Sequence, residues 1–566
     1  MLKSRPPMSR QLVLLVAGLL ALTACGLADR GSRPAALQPA PPVAAASPAP
    51  VSLSEAIARA HALGVAGQDV RVELTLGLRG RHPEELAELL KQGRTVTAAE
   101  FDRLYSPDPA LVRAALAVLS QAGLNAGWTP GASLATAGGP APAAAALFGV
   151  SFQIYQEADG SRFYAADRVP PVPAALAPVV ADIGGLDSYG RLQRHSLATI
   201  RPGGLTPDDV LTFYNIKALR DQGLDGSGEV IVMPEIGDLP NTNDIAAYAQ
   251  KFGLPPFDVT LRKDPAWGTP LNPGKPDGET MLDLEVIHAI APGAKLVVYA
   301  GSARFDQGTV LMDAMVRENP NAIISDSLGA CELFVPASIR DQSSAIMDRS
   351  VAQGMSHFVA SGDTGAYDCG QTKPPAIDFP SGLPQVTSVG GTTLFLSKEG
   401  TYFAEAAWGN PIQQSGGGGG ISAFYARPDW QKGPGTDNQF SNGRRQVPDV
   451  AGVADSNTGW DIIVGGRDHQ IGGTSAAAPL WAGVAALVNQ SLKKKGLRRI
   501  GFANPALYWM GQNQGKLRPS PFHDVTAGNN LAYPATANWD NCTGWGSLDA
   551  VGLQAAFEAY IRQGGK

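Results

Sequence analysis

The feature that most constrains this chain is a stretch of glycine and alanine that leads into a long apolar run. Residues 472–479 read Gly-Gly-Thr-Ser-Ala-Ala-Ala-Pro, and residues 480–488 would be apolar on every face of a helix. A helix of that kind must be buried. Ser475 stands at its open end, beside free backbone N–H groups and the positive end of the helix dipole, and Pro479 is expected in the first turn. The stretch predicts either a tightly packed helix start or a nucleophile beside an oxyanion site.

The composition is that of a large globular protein. The chain has 566 residues, which is too long for one ordinary domain. Its residues are 44% hydrophobic and 17% charged, as in chains that build a core. The net charge of −6 gives no electrostatic case for nucleic-acid binding. Beyond the first thirty residues no apolar run is long enough to span a bilayer, so the composition favours neither a nucleic-acid-binding nor an integral membrane protein.

The N-terminus has the features of an export signal. Three basic residues precede an apolar run at residues 12–22, which is shorter than a membrane span and has the length of a signal-peptide core. The run ends at Cys25 in a Leu-Thr-Ala-Cys sequence that resembles a bacterial lipobox, whose cysteine is lipidated after cleavage. Ordinary cleavage nearby, for example after Ala28, is the alternative. We expect residues 1–25 to be a signal peptide and the precursor to be exported, held at a bacterial cell envelope only through lipid on Cys25.

The rest of the chain divides into a tether, a small folded unit, a linker and a larger folded unit. Residues 26–50 are rich in Ala, Pro and Ser, with almost nothing to bury, and predict an extended tether. Strand and helix patterns alternate across residues 51–187 and predict a small α+β domain, with a capping box at residues 97–100. Residues 188–205 are polar, basic and glycine-containing, which predicts an exposed linker and the natural place for a processing cut.

Residues 206–566 alternate strands and helices in the manner of a parallel α/β sheet. Thr206 is expected to cap the first helix, with a proline directly after it. The predicted strands are 229–233, 295–299, 322–324 and 357–360, and the predicted helices are 244–252, 280–291 and 338–354. Functional residues of such sheets gather at the carboxyl ends of the strands, where Asp363 falls in the sequence Ser-Gly-Asp.

Three cysteines remain after Cys25, and an exported chain permits disulfides. Cys331 and Cys369 each follow a segment placed at the end of a neighbouring strand, so they are the expected pair. Cys542 would then be an unpaired thiol.

A nucleophilic Ser475 needs a proton acceptor, which in serine hydrolases is usually histidine. The seven histidines are His61, His82, His195, His288, His357, His469 and His523. None lies in the His-Gly-Thr-His setting of subtilisins. His288 falls in an apolar helical stretch and is expected to be a packing residue.

A pair of carboxylates offers a different base. Glu279 and Asp283 are four residues apart and would share one face of a helix. Two negative charges at so short a distance repel each other, so the two carboxylates do not both ionise easily and can hold one proton between them. One carboxylate could accept the Ser475 proton while the other steers it. A carboxylate with a reference pKa of about 4.3 is a weak base near neutrality, so this design suits acid pH. By itself, the same spacing is also typical of a solvated acidic helix end.

The order of four residues, with the sequences around them, resembles the sedolisins, the serine-carboxyl peptidases, and particularly their kumamolisin-like branch. The four are Glu279, Asp283, Asp363 and Ser475, with Ser-Gly-Asp-Thr-Gly around the third and Gly-Gly-Thr-Ser-Ala-Ala-Ala-Pro around the fourth. Val-Pro-Asp-Val-Ala at 447–451 and Gly-Gly-Gly-Ile-Ser at 418–422 are further matches, and the resemblance runs from about residue 51 to the C-terminus.

The resemblance implies a fold and a role for each residue. The fold would be a subtilisin-like parallel-sheet catalytic domain preceded by a small α+β, ferredoxin-like prodomain that activates and inhibits the enzyme. Ser475 would be the nucleophile, Glu279 the general base and acid, and Asp283 its partner. A protonated Asp363 would donate to the oxyanion beside the Ser475 N–H.

One position departs from the family. The family usually has tryptophan after Ser-x-Ser, where this chain has Leu328. That tryptophan helps an outer glutamate, here Glu235, to connect to the catalytic carboxylates. The resemblance therefore leaves the outer network of this chain open, and activity could be lower or its pH range displaced.

The C-terminal segments 522–530 and 539–544 are similar to the calcium loop of the family. Two carboxylates and several carbonyls suit a hard, oxygen-seeking cation. Matching by position implies one Ca²⁺ ion held by the side chains of Asp524 and Asp540 and the carbonyls of Val525, Thr536 and Asn538. The family's glycines at the last two carbonyl positions are replaced here, which is tolerable if only their carbonyls bind. A polar turn without metal is the alternative.

We therefore expect a self-processing precursor of an endopeptidase that hydrolyses proteins and peptides at acid pH, with no nucleic-acid partner. Because the predicted cut lies between Cys25 and the catalytic residues, the lipid would hold the prodomain and the mature domain would be released. One alternative is a histidine-dependent serine hydrolase in which a residue such as His288 reaches Ser475. The other is a surface lipoprotein whose peptidase scaffold only binds peptides.

Overall fold

The computed structural model describes residues 51–199, 204–274, 278–397 and 402–565. The signal peptide, lipobox and tether predicted for residues 1–50 lie outside the described residues. All that follows concerns the unit Pro48–Lys566. Across the ranges given above, no helix has the length and apolar character that crossing a membrane requires.

The first part of the described chain is a small α+β domain. Its helices are α1 (Leu53–Arg59), α2 (Pro83–Lys91), α3 (Ala98–Leu104), α4 (Pro109–Gln121) and α5 (Ala141–Phe148). Its strands are β1 (His61–Val65), β2 (Arg71–Leu78), β3 (Asn125–Gly127), β4 (Leu134–Pro140), β5 (Phe152–Gln156), β6 (Arg162–Ala166) and β7 (Val180–Gly184). The predicted capping box is present, because the Glu100 amide donates to the Thr97 hydroxyl at 3.2 Å and the Thr97 amide donates to Glu100 Oε2 at 2.9 Å.

Two antiparallel sheets organise this domain. The larger has the strand order β3-β4-β2-β7, and the smaller has the order β1-β5-β6. Leu76, Val112 and Leu119 are fully buried in the shared core of sheet and helices. The central β2 with β4 and β7 on either side, and helices in the connections, is the ferredoxin-like arrangement that was expected.

The linker contributes two short strands, β8 (Gln193–Arg194) and β9 (Leu197–Thr199). The helices after it are α6 (Pro207–Phe213), α7 (Lys217–Arg220), α8 (Thr242–Phe252), α9 (Glu279–Ile290), α10 (Phe305–Glu318), α11 (Ala337–Ala352), α12 (Thr474–Lys494), α13 (Asn504–Asn513) and α14 (Ala550–Arg562). The strands after it are β10 (Val230–Glu235), β11 (Val259–Arg262), β12 (Lys295–Ala300), β13 (Ile323–Asp326), β14 (Leu328–Cys331), β15 (Ser356–Ala360), β16 (Asp378–Phe379), β17 (Thr387–Leu396), β18 (Tyr402–Ala407), β19 (Gly409–Asn410), β20 (Ser415–Gly416), β21 (Gly420–Ala426), β22 (Arg444–Val447), β23 (Val450–Val453), β24 (Trp460–Val464), β25 (Arg467–Gly472), β26 (Phe522–His523) and β27 (Ser547–Leu548).

An eight-stranded sheet forms the centre of the larger unit, the predicted catalytic domain. Its order is β11-β12-β10-β13-β15-β17-β18, with β23 also paired to β17. Every pair is parallel except β17 with β18. The predicted parallel α/β fold is confirmed, and the predicted strands and helices differ from the observed ones by a few residues at their ends.

Two helices that are buried along almost their whole length, α9 and α12, carry three of the four predicted catalytic residues, Glu279, Asp283 and Ser475, into the core. The expectation for the start of α12 was wrong. Pro479 lies inside the helix, because the helix begins at Thr474. The Asp363 carboxylate accepts the Thr474 N–H at 2.7 Å and so caps the helix five residues earlier than the proline pattern predicted.

The expectation of an exposed linker was also wrong. Residues 193–199 pair with strands of the catalytic domain on both sides, and the polar His195 is buried. A basic, polar sequence can be buried where carboxylates and strand edges receive it. Residues 200–203 lie outside the described residues.

The cysteines follow the prediction. Cys331 and Cys369 form a disulfide with their Cα atoms 4.9 Å apart, and Cys542 is a buried free thiol.

Candidate active site

Ser475 is the second residue of α12, which leaves its backbone amide available. The first four N–H groups of a helix have no partner inside the helix. The Ser475 N–H donates instead to the carbonyl oxygen of His195, at 3.2 Å. Its hydroxyl lies 3.5 Å from the Ser327 carbonyl oxygen and shares a hydrogen bond with Glu279. With the linker in place, Ser475 is fully buried.

Glu279 and Asp283 lie in the first two turns of α9, on the same face. Glu279 shares hydrogen bonds with both Ser475 and Ser196 of the linker. Asp283 Oδ1 accepts a 2.8 Å hydrogen bond from the Ser327 hydroxyl. The structure thus brings the predicted carboxylate pair close to Ser475. Ser327 contacts Asp283 through its hydroxyl and Ser475 through its carbonyl oxygen.

Burial dominates the ionisation of these carboxylates, both of which are wholly removed from solvent. Burial raises the pKa of Glu279, although the hydrogen bonds with Ser196 and Ser475 favour its charged form. Burial also raises the pKa of Asp283 well above its ordinary value, and the negative charge of Glu279 adds to the rise. The pair therefore retains a proton over a pH range in which separate carboxylates would lose theirs.

Asp363 follows β15 at the carboxyl end of the sheet. Its Oδ1 accepts hydrogen bonds from the Thr474 amide at 2.7 Å and the Thr474 hydroxyl at 2.8 Å. Its Oδ2 and the His195 carbonyl oxygen both border Gly473, where a Cβ would overlap with each of them. Burial raises the pKa of Asp363 to about 6, although the charge of His195 and the bonds from Thr474 oppose the rise. Below that pH the carboxyl is protonated and can donate a hydrogen bond.

The linker lies across Ser475 as an extended strand. On one side β8 pairs antiparallel with β14, and the His195 N–H donates to the Ser327 carbonyl at 3.3 Å. On the other side β9 pairs antiparallel with the end of β25, directly before Ser475. Strand addition of this kind is a common way to hold a peptide. The bond between His195 and Ser196 therefore lies at the nucleophile, with its carbonyl oxygen on the Ser475 amide.

The His195 side chain occupies an acidic pocket. Its Nε2 pairs with Asp378 Oδ2, and both side chains are almost completely buried. Burial opposes the charge of the imidazole, but the field of Asp378 outweighs this and raises the pKa of His195 to about 10. Asp368 adds to this field. The disulfide at Cys331 joins the end of β14 to the residue after Asp368, so it ties two sides of the pocket together.

Glu235 reaches the catalytic pair without an aromatic intermediary. Its Oε2 accepts a 3.0 Å hydrogen bond from the hydroxyl of Thr280, the residue after Glu279. Burial and then the charge of Asp283 raise the pKa of Glu235 well above its ordinary value. Leu328 is buried and cannot form hydrogen bonds through its side chain, so Glu235 acts on the pair through Thr280 and through its own charge state.

His288 is remote from the nucleophile. It lies nine residues after Glu279 on α9, about 13 Å along the helix axis. Its Nε2 is 2.7 Å from the Pro255 carbonyl oxygen, and its ring stacks on Phe257 with centroids 3.7 Å apart. Burial lowers its pKa to about 4. His288 is thus a packing residue, as expected, and the Ser475 hydroxyl faces a carboxylate instead.

The predicted calcium ligands lie where two segments of the C-terminal loop meet. The Asn538 amide donates to Asp524 Oδ2 at 2.8 Å, and the Thr536 amide donates to Asp540 Oδ2 at 2.6 Å. Val525 directly follows Asp524. Across the described residues, no group of three or more His, Cys, Asp or Glu side chains is arranged to hold a metal ion. The predicted set needs only two carboxylates, and its carboxylate and carbonyl oxygens fit calcium in their chemistry.

Some residues of the site escaped the sequence reasoning. Ser327 belongs to the Ser-x-Ser motif, which by itself does not indicate that this residue contacts both Asp283 and Ser475. Asp368 and Asp378 carried no local signal of a pocket. The basic residues of the linker did indicate such a pocket, because a cationic segment that lies beside a nucleophile needs carboxylates to pair with.

Comparisons with known proteins agree with this architecture. Residues 58–189 match the family described as Pro-kumamolisin, activation domain, and residues 267–507 match the Subtilase family. Kumamolisin of Bacillus sp. (strain MN-32) is 36% identical over 454 residues, which cover 75% of this chain and 79% of that protein. Sedolisin of Pseudomonas sp. (strain 101) is 29% identical over 539 residues, which cover 88% of each.

A solved structure agrees as well. The structure of Pseudomonas sedolisin, a serine-carboxyl proteinase complexed with two molecules of pseudo-iodotyrostatin, aligns with a TM-score of 0.55 and 29% identity, covering 65% of this chain and all of that one. The subtilisin-like fold of the catalytic domain is thereby confirmed. With its activation domain, its parallel sheet and this similarity to kumamolisin, the chain belongs to the sedolisin family of serine-carboxyl peptidases.

Proposed function

We propose that the protein is the self-processing precursor of an endopeptidase that uses Ser475 as nucleophile. The single observation that supports this best is its own linker, extended across the site with the His195 carbonyl oxygen on the Ser475 amide. Linker residues are seated on both sides of the His195–Ser196 bond. A cleft that binds residues on both the N-terminal and the C-terminal side of the cleaved bond suits an enzyme that cuts within a polypeptide.

The contacts suggest the role of each group. Ser475 Oγ attacks the carbonyl carbon while its proton passes to Glu279, and Asp283 steers that proton through the shared hydrogen-bonded cluster. The oxyanion receives hydrogen bonds from the Ser475 N–H and from protonated Asp363; one such donor is worth about 10²–10³ in rate. Glu279 then returns the proton to the departing amine. In the second half-reaction Glu279 accepts a proton from a water molecule that attacks the acyl carbon, the bond from that carbon to Ser475 Oγ breaks, and Glu279 returns the proton to Ser475 Oγ.

This assignment implies activity on the acid side of neutrality. Asp363 donates only while it is protonated, and burial raises its pKa to about 6. Activity should therefore be present below this pH and be lost as the pH rises through it. Such a dependence would distinguish the mechanism from one with a histidine base, which is active when the imidazole is neutral.

The acidic pocket supports a preference for a cationic residue before the cleaved bond. Asp378 pairs with the charged His195 ring, and Asp368 contributes to the same field. An arginine or lysine side chain would meet the same charges. A neutral side chain would leave these buried carboxylates without their countercharge.

We also propose one bound Ca²⁺ ion in the C-terminal loop. Asp524 and Asp540 would supply carboxylates, and Val525, Thr536 and Asn538 would supply carbonyls. Calcium at this site would hold the loop together and add to the stability of the folded enzyme.

Export and lipidation at Cys25 are proposed from the sequence, in which the lipobox-like motif precedes the prodomain. Cleavage at the linker would leave the lipid on the prodomain and release the catalytic half. Detergent phase partitioning before and after acid treatment, with an antibody against each half, tests this. Lipid on the matured catalytic half, or none on Cys25, would contradict it.

The nucleophile and the processed bond can be tested together. Full-length wild type and Ser475→Ala are incubated at acid pH, and the products are measured by mass spectrometry. We expect a first cut that gives Ser196 as the new N-terminus in the wild type and no cut in Ser475→Ala. His288→Ala serves as the control and should still process. Maturation of purified Ser475→Ala would refute the function, whereas a first cut elsewhere would refute only the assignment of the bond.

A further inference from the structure

A buried carboxylate to which the proposed reaction gives no role lies beside the active site. Asp326 is the last residue of β13, and its side chain is almost completely buried. Its Oδ1 accepts a hydrogen bond from the Leu328 N–H at 3.1 Å, and its Oδ2 lies 3.4 Å from Nε2 of His357, within ion-pair distance. Because a buried carboxylate is costly without such partners, the two contacts hold Asp326 in one position.

The hydrogen bond from Leu328 fixes the peptide group that joins Ser327 to Leu328. A peptide group is planar, and in its trans form the N–H and the C=O point in opposite directions. On one side the N–H points to Asp326. On the other side the Ser327 carbonyl oxygen lies 3.5 Å from Ser475 Oγ and accepts the His195 N–H at 3.3 Å. The acceptor on the first side therefore sets the direction of the carbonyl on the second.

The contact also places the side chain of Ser327. A carboxylate that accepts the amide two residues later closes an Asx turn, here with Ser327 at its centre. The Ser327 hydroxyl donates to Asp283 at 2.8 Å. Burial and then the charge of Glu279 raise the pKa of Asp283, and the charge of Asp326 adds to the rise. Through Ser327, Asp326 thus orients groups beside both the nucleophile and the partner of the base.

His357 holds Asp326 from the neighbouring strand. β13 and β15 are parallel, with His357 opposite Ile324, and the side chains of residues 324 and 326 lie on the same face of β13. The other ring nitrogen of His357, Nδ1, lies 3.1 Å from Sδ of Met347 in α11. The imidazole is therefore held on both sides and gives the carboxylate a fixed partner.

We propose that Asp326 is a positioning residue for the peptidase reaction. Its carboxylate orients the Ser327 carbonyl, which binds the backbone N–H of the residue before the cleaved bond and so places that bond at Ser475. The proposal rests on the proposed peptidase function and adds a residue that acts through Ser327. A displacement of about 1 Å at a reacting centre can cost about 10² in rate, so a residue of this kind has a measurable effect.

Two variants of nearly the same shape test the hydrogen bond. Asparagine and leucine both branch at the same atom as aspartate. Asp326→Asn keeps an oxygen for the Leu328 N–H, whereas Asp326→Leu leaves that buried N–H without its acceptor. The rate of self-processing of the full-length protein at acid pH is measured by mass spectrometry. We expect it to fall about 10²-fold in Asp326→Leu and to stay within about fivefold of wild type in Asp326→Asn.

Asp225→Leu is the matched control. Asp225 forms the same kind of turn, in which its Oδ1 accepts the Ser227 N–H at 2.9 Å. It precedes β10, at the edge of the sheet opposite the carboxyl ends of the strands. The control variant loses a similar hydrogen bond far from Ser327, and its processing rate should stay within about twofold of wild type.

A second measurement reports on the Ser327 carbonyl itself. The blocked peptide Arg-Leu-Gln-Arg-His-Ser-Leu-Ala copies residues 191–198. In its depsipeptide an ester oxygen replaces the N–H of the histidine, so this position cannot donate to the carbonyl. Each protein is incubated at acid pH until it has matured. For wild type and Asp225→Leu, the ester should lower kcat/KM at the His–Ser bond about tenfold, and for Asp326→Leu about twofold or less, because the carbonyl is already displaced.

The outcomes separate this proposal from the proposed function. Asp326→Ala takes the place of Asp326→Leu should the leucine variant fail to fold. A wild-type processing rate or an undiminished ester effect in the variant without an acceptor would overturn the positioning role, as would Asp326→Asn as slow as that variant. All three outcomes would leave the peptidase function intact. A wild-type protein that neither matures nor cleaves the peptide would overturn the proposed function itself.

Discussion

Two clusters of buried carboxylates flank Ser475, and they differ in the charges around them. The catalytic cluster consists of Glu235, Glu279 and Asp283. The pocket cluster consists of Asp363, Asp368 and Asp378. In both clusters burial is the largest cause that raises the pKa values. In the catalytic cluster like charges then raise the pKa of Asp283 and Glu235 further, whereas in the pocket cluster the charge of His195 lowers all three values.

The difference suggests that the catalytic cluster carries out the reaction and that the pocket cluster recognises the substrate. The catalytic cluster keeps its protons through burial and through the charges that Glu235, Glu279 and Asp283 place on one another, although the hydrogen bonds that Ser327 and Thr280 donate favour the charged forms. The countercharge of the pocket cluster comes from His195 of the linker, which is the proposed processing site. Once the linker leaves, a cationic substrate must replace that charge. Changes in the catalytic cluster should therefore affect all substrates alike, and changes in the pocket cluster should depend on the substrate.

The largest effect is expected in the catalytic cluster. Glu279→Gln removes the proton acceptor, and Asp283→Asn removes its partner. Each should lower kcat by about 10²–10⁴, and the double variant should lose little more than either alone, because the two act as one unit. Steady-state kinetics measures this on a denatured protein and on peptides that have a neutral or a cationic residue directly before the cleaved bond, the P1 position. Losses that depended strongly on the P1 residue would undo the distinction between the clusters.

Asp363→Asn tests whether the two clusters have separate roles. Asp363 belongs to the pocket cluster, but its proposed role is to donate a hydrogen bond to the oxyanion. The variant should lose about 10²-fold in rate. Since an amide does not titrate, the decline of wild-type activity as the pH rises through about 6 should disappear. A pH–rate profile of both proteins measures this. If the activity of the variant still declined as the pH rises through about 6, the decline would have to come from the ionisation of another group.

Asp378→Asn should change selectivity more than chemistry. Without its charge, the preference for His, Arg or Lys over Leu at P1 should fall about tenfold or more, because a buried charge pair loses one partner. Cleavage of the P1 leucine peptide should be unchanged or faster. Asp221→Asn, at an exposed position, is the control. Equal loss on cationic and neutral peptides would place Asp378 in the chemistry instead.

The smallest effect concerns acidic residues outside both clusters. Calcium should raise the melting temperature of the protein by a few degrees, because it binds only the folded form. Melting curves with calcium and with chelator, for wild type and Asp540→Ala, measure this. Asp437→Ala, an exposed position, should keep the response. Equal wild-type melting temperatures in the two conditions would remove the calcium assignment.

Local patterns predicted much of the fold. The capping box at Thr97 and the continuous apolar strands appeared close to their expected bounds, because caps and periodicity are set by neighbours in the sequence. The face shared by Glu279 and Asp283 follows from their spacing alone. The pattern failed at Pro479, because the start of α12 is decided by Asp363, more than a hundred residues earlier.

The helices and strands, the parallel class of the sheet and the residue types able to carry the chemistry can be read from the amino-acid sequence alone. The path of the linker and the pocket that receives His195 follow only from the tertiary structure. Both depend on contacts between residues far apart in the chain, His195 with Asp378 and Leu192 with Ala303. A local sequence pattern does not predict such contacts, because the two residues come together only when the folded sheet places their loops at the same edge.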